Sequence, residues 1–315
     1  MRRKDLTLRA FSVERMSGMS LSESEPLSLL DLLRQRLPAT CAGDRRMPLN
    51  PTSDDEDVLS AYADSNNCLF GVILCIAPGT QMGEIRPEMF AQPMISIDEL
   101  GGLEANANSS IYKHCYYFAL SSRTLVTTLG KSSSISRVET YLNWLIEESR
   151  GETLFNLTPM ISTELPIKPK DIKEMTILPP RTRLIETGDS QADTEEASRA
   201  YKINWNRLKS LFGDSLNLDE LKANNILEAE LNIKFTRPKN MTPQNYERLL
   251  GQSLRVISGL DQVQFRGKKG KKYVVGSDMQ REKSVKIELT ENGHLSEEQL
   301  KQEMERYLLE LTQGQ

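Results

Sequence analysis

The chain has 315 residues, 38% hydrophobic and 27% charged, with a formal net charge of -4. That length suits two domains with sizeable cores, and the composition is that of a soluble globular protein. No apolar run is long enough to cross a bilayer as a helix, no basic-then-apolar leader is expected, and net acidity excludes a protein that coats nucleic acid over its whole surface. Residues 5–13 alternate as a strand, and Leu29, Leu30, Leu33 and Leu37 mark a short helix ended at Pro38. The Pro-, Asp- and Arg-rich stretch 41–57 reads as a loop. CLFGVILCIA at 68–77 reads as a buried strand ended by Pro78-Gly79, with a loop-rich stretch beyond it to Ser110. YKHCYYFAL and RTLVTTL give two strands joined at Ser121-Ser122. A helix at 135–149 follows, with Val138, Tyr141, Leu142 and Leu145 inward and a capping-box spacing Ser136…Glu139. A strand holding Phe155 and Leu157 comes next. Pro179-Pro180 opens a polar linker at 179–193, and a helix at 194–212 carries Tyr201, Trp205, Leu208 and Leu211.

The most ordered pattern is at 227–289. LEAELNIKFT alternates as a strand with one wet face, and Pro238 stops it. Thr242-Pro243 supplies an N-cap and a proline at the first helical position, where its missing N–H costs nothing. Tyr246, Leu249, Leu250, Leu254 and Ile257 form that helix's stripe. Residues 263–266 and 271–275 read as a hairpin around Gly267-Lys268-Lys269-Gly270, and KSVKIEL as a further strand. The Ser296…Gln299 capping box opens a last amphipathic helix. The expected fold is therefore α+β, two mixed domains with antiparallel sheets. Residues 1–178 form the first domain and 194–315 the second, a basic strand–helix–hairpin–strand unit closed by a helix.

Residues 234–286 hold thirteen basic against four acidic side chains, in a chain that is acidic as a whole. A charged tip that keeps an edge hairpin from pairing with other sheets explains part of this. The bases at both ends of the unit favour a polyanion. The expected contacts to DNA phosphates are Lys268, Lys269, Lys271 and Lys272 at the tip, with Arg266, Arg237, Lys239, Arg281 and Lys283 on the flanks. Lysines act on phosphate as point charges and carry little base information. Tyr273 is the lone aromatic near the tip, which favours duplex over a single-strand stacking platform.

Catalytic patterns are absent. Only His114 and His294 exist, no phosphate-cradling or nucleophile-elbow motif occurs, and Cys41, Cys68, Cys75 and Cys115 lack metal-ligand spacing. The cysteines read as core thiols in a reducing cytoplasm. Asp54-Asp55-Glu56-Asp57 is the one tight acid cluster; it is expected to be solvated and its aspartates dispensable. No catalytic residue, metal or cofactor is expected.

LEAELNIKFTRPKN at 227–240, KIELTENGHLS at 286–296 and YYFALSSRTLVTTLGKSSSISRVETYL at 116–142 resemble the RexA-type phage-exclusion proteins, with similar spacing over most of 112–312. The resemblance implies a cytoplasmic homodimer that binds DNA without sequence preference, acts with a membrane-embedded partner in anti-phage defence, and responds to a phage component. An amphipathic last helix and an open edge at 227–236 also lead us to expect a homodimer. A toxin nuclease with scattered acids, or a module docking its basic hairpin on an acidic partner, are the competing readings.

Overall fold

An uninterrupted apolar strand needs neighbours on both edges and cover on both faces. In the computed structural model this run forms β4 (Leu69–Ile76), buried at every position. The structure describes residues 2–16, 27–50, 53–65, 67–76, 84–85, 87–96, 110–130, 135–146, 154–177, 231–238, 240–255, 263–267, 273–290 and 293–313. They divide into two units, one made of Met1–Met160 with Arg281–Gln315 and the other of Ile161–Gln280.

In the first unit β4 pairs with β3 (Ser53–Asp64) and β6 (Ser110–Leu120). Beyond β6 lie β7 (Thr124–Thr127), β1 (Arg3–Arg15) and β13 (Glu282–Glu288); beyond β3 lies β2 (Arg46–Asn50). β5 (Glu84–Ile85) joins β6 and β8 (Phe155–Pro159) joins β1, so the sheet has nine strands and is antiparallel throughout. Alternation sorts the side chains. Val72, Leu74, Tyr117, Val126, Leu8 and Ile287 share a core with α5 (Glu297–Gln313), which inserts Leu300, Met304, Tyr307, Leu308 and Leu311. Ile73, Cys75, Tyr116, Phe118 and Phe11 share a core with α1 (Leu29–Arg36) and α2 (Ser136–Ile146). The last helix thus has its apolar stripe occupied within the unit, which removes one of the two reasons for expecting a partner copy.

Polar side chains tie these layers together. Tyr141 on α2 donates to the Arg45 carbonyl and accepts the Leu59 N–H, both at 2.6 Å. Glu139, expected in a capping box with Ser136, accepts the Leu157 N–H of β8 at 2.6 Å. Gln299 donates its N–H to the Ser296 hydroxyl at 3.4 Å, and its side-chain oxygen accepts the Glu288 N–H at 2.7 Å, fastening α5 to β13. Buried Asn143 has all its capacity used. Its amide donates to the Glu139 and Phe155 carbonyls, and its oxygen accepts the N–H groups of Leu154 and Phe155. Asn143→Leu strands backbone groups of β8 without partners, at about 1–3 kcal/mol each. A drop of about 3 kcal/mol in denaturant unfolding is the expected result; a change under 1 kcal/mol, about the size of a single ordinary hydrogen bond, would show the bonds to be replaceable.

The second unit is a four-stranded antiparallel sheet in the order β10 (Leu231–Lys234), β9 (Ile172–Ile177), β11 (Val263–Gly267), β12 (Tyr273–Val275). One face packs on α3 (Pro243–Arg255): Ile172, Met175, Phe265 and Val274 share a core with Tyr246, Leu250 and Leu254. Thr242 caps α3 as expected, its hydroxyl accepting the Asn245 N–H at 3.3 Å. A four-residue helix, α4 (Gly276–Met279), follows β12.

The mixed α+β class stands, with antiparallel sheets in both units. The expected division at 179–193 does not match the units found. The strand expected to complete the basic unit is β13, and it pairs with β1 over seven residue pairs from Arg3↔Glu288 to Arg9↔Glu282. Its Val285 and Ile287 fill the core beneath α5, so strand and last helix belong to the first unit. β9 has no counterpart among the expected strands and is the partner of both β10 and β11. The stretch 41–57 is no loop: it holds a 3-10 turn at Gly43–Arg45, then β2 and the start of β3. β2 is an edge strand, where outward charges are tolerated, and Arg46 there donates to Glu56 of β3 at 2.7 Å. The expected linker at 179–193 and helix at 194–212 lie outside the described residues.

Candidate nucleic-acid interface

Hydrogen-bonded register sets the outer face of the second unit's sheet. Ile233, Met175, Phe265 and Val274 stand in one row across the four strands, on the side of α3. The neighbouring row, which alternation directs to the other face, is Lys234, Glu174, Arg266 and Tyr273. Lys234 and Tyr273 are exposed, and Glu174 and Arg266 are half-buried. The next row on that face holds Asn232, Thr176, Gln264 and Val275.

The nine expected phosphate contacts separate. Lys239, Lys268, Lys269, Lys271 and Lys272 lie outside the described residues. Arg266 and Arg237 belong to the second unit and are half-buried. Arg237 lies near the Tyr246 phenol, whose pKa burial raises and that guanidinium partly restores. Arg281 and Lys283 belong to the first unit. Lys283 donates to Glu310 of α5 at 2.6 Å and lies 5.5 Å from the centre of the Tyr307 ring, so it serves the α5 contact. Burial, more than any nearby charge, pushes the Tyr307 phenol up to about 12. The backbone of Arg281 donates to Met160 and accepts from Ala10. These two residues therefore lie in a different unit from the hairpin, and the Lys283 ammonium is engaged by Glu310.

The acid cluster is not a solvated loop. Asp57 points into the first unit with no exposed surface. Its carboxylate accepts from Arg137 Nε at 2.8 Å and Nη2 at 2.6 Å, and from the Tyr116 hydroxyl at 3.4 Å. Burial, with Asp57 adding to it, raises the Cys75 thiol and the Tyr116 phenol far above their ordinary range. Among the described residues no group of three or more His, Cys, Asp or Glu side chains is placed to hold a metal. His294 lies in a turn closed by the Thr290 N–H donating to its carbonyl, with Gly293 at a φ of 81°.

The first unit also holds a cavity of about 530 Å³ beside the C-terminal part of α5, lined by Cys68, Arg123, Thr124, Glu305 and Leu309 among others. Its Cys68 thiol donates to Glu305 at 3.5 Å and is pushed up to about 11, chiefly by burial. That thiol is a poor nucleophile at neutral pH.

Lys234 and Glu174 were not among the expected contacts. The signal for Glu174 was present in Ile172–Ile177, where Met175 and Ile177 alternate with polar neighbours just after a Pro169–Asp171 turn. Comparison of the sequence with protein-family models and with curated proteins finds no match.

Proposed function

We propose that this protein binds duplex DNA through backbone phosphates, without sequence preference, by the hairpin β11–β12 of its second unit. The observation that carries the reading is the pairing of Arg266 with Tyr273, together with the sequence between them, which includes Lys268, Lys269, Lys271 and Lys272 and no acid. Arg266, Arg237, Lys234 and Lys239 complete the set. No step of catalysis is part of the proposal. Among the described residues no helix is long and apolar enough to cross a membrane. The proposal sets the protein in the cytoplasm, where host and phage DNA meet it. The resemblance to RexA-type proteins supplies the biological setting, anti-phage defence as a homodimer acting with a membrane protein.

The test is anisotropy with two unrelated labelled duplexes of equal length. Wild-type protein should bind both with the same affinity. Replacing Lys268, Lys269, Lys271 and Lys272 with Ala should weaken both equally and abolish protection of cells from phage, at an unchanged melting temperature. Unchanged affinity in the folded variant would remove the hairpin as the site, and degradation of the duplexes in the presence of a divalent metal would replace binding with nuclease action.

A further inference from the structure

We infer that the outer face of the second unit's sheet, at Arg266 and Tyr273, takes an unpaired base, so that the protein also holds single-stranded DNA. This rests on the phosphate-binding reading above and adds a second substrate form to it.

Tyr273 carries the argument. It is 57% exposed, and it is the one aromatic among the exposed large hydrophobic side chains of the described residues. Its neighbours along the strand show that this exposure follows from register: Val274 turns inward to Phe265 and α3, and Tyr273 turns outward. Arg266 is its direct cross-strand partner, one strand spacing of about 4.8 Å away. An aromatic face with a guanidinium beside it matches a nucleotide, whose base stacks while its phosphate meets the cation. A duplex presents phosphates to a surface of this kind and keeps its base faces stacked inside, so duplex binding alone leaves Tyr273 without a role. The charge is complementary: residues 263–275 contain Arg266 and four lysines and no acid.

Glu174, next in the row, is the side chain a bare phosphate site would avoid. It stands between Arg266 and Lys234, about 10 Å from Tyr273 by strand spacing. A carboxylate accepts from exocyclic amino groups of bases. With the base on Tyr273 and phosphates at Arg266 and Lys234, Glu174 meets the edge of a following base that carries an amino group.

The experiment compares a single-stranded oligonucleotide with the duplex of the same sequence, using the full chain and its Tyr273→Ala, Tyr273→Phe and Tyr273→Leu variants. Stacking of one base is worth about 5- to 150-fold in affinity. Tyr273→Ala and Tyr273→Leu should lose that factor on the single strand and nothing on the duplex; Tyr273→Phe should retain it. A 2-aminopurine placed in the single strand should lose fluorescence on binding to wild-type protein and to Tyr273→Phe, and keep it with Tyr273→Ala. Equal single-strand affinity in Tyr273→Ala overturns the inference, and so does an equal loss on both DNA forms. Duplex binding without single-strand binding by the wild type overturns it while leaving the phosphate reading intact. Binding to neither form removes both and leaves the acidic-protein partner.

Discussion

Arg137→Ala is expected to lower the stability of the protein by about 3–5 kcal/mol, and Asp57→Ala by a somewhat smaller amount. The two residues form a bidentate pair, but their exposures differ: the Asp57 side chain is wholly buried and that of Arg137 is 31% exposed. Removing the arginine leaves a carboxylate in the core with, among the described residues, the Tyr116 hydroxyl and the Cys75 thiol beside it. Removing the aspartate frees a guanidinium that already reaches water and can turn outward, leaving chiefly the Tyr116 hydroxyl without its acceptor. The double variant should cost less than the sum of the two, because neither partner is then left alone. Denaturant unfolding of the four proteins measures the cycle. Additive losses would show that the pair is not coupled. The expectation that the acid cluster is solvated therefore does not hold at Asp57, so replacing Asp54, Asp55 and Asp57 together perturbs the fold before it reports on defence activity.

The second large effect concerns DNA. If four to seven phosphates are neutralised, log affinity should fall with log salt at a slope of about -4 to -6, about 0.9 for each contact. Changing Lys268, Lys269, Lys271 and Lys272 to Ala removes four counterion-releasing contacts and should flatten the slope by about 0.9 for each one. Changing the same four to Glu should abolish binding at moderate salt for every duplex, since four charges are reversed, a net change of eight, along one short segment. Arg266→Ala should remove one further unit of slope. Binding isotherms over a salt series decide the matter. An Ala variant with the wild-type slope would leave the lysines as the charged tip of an edge hairpin.

Periodicity in the sequence states which face of an element is buried and is silent about what buries it. The apolar run of β4, the Thr242-Pro243 start of α3, and the strands flanking the basic turn were all legible for that reason. β13 was legible as a strand, with Val285 and Ile287 inward. Its partner β1 lies at the other end of the chain, and no local signal joins Leu6 to Val285. The acid run misled for a related reason. Four consecutive acids look solvated, yet a strand sends alternate residues to opposite faces, and the partner of Asp57 is 80 positions away. Glu139 and Gln299 have capping-box spacing, and each has a tertiary bond at 2.6 or 2.7 Å to a neighbouring strand.

The return of the chain to its first unit has a consequence for synthesis on the ribosome. The chain leaves that unit at Met160 and re-enters it at Arg281, whose N–H donates to the Met160 carbonyl at 2.7 Å. β9 to β12 and α3 come from one continuous stretch and are complete before β13 and α5 are translated. The nascent chain therefore passes through a stage in which β9 to β12 have all been made while the first unit still lacks α5, leaving Leu8, Tyr117 and Val126 without the helix whose core they share. A premature stop near codon 280 would freeze the chain at that stage, with an open hydrophobic face that chaperones bind and that drives aggregation.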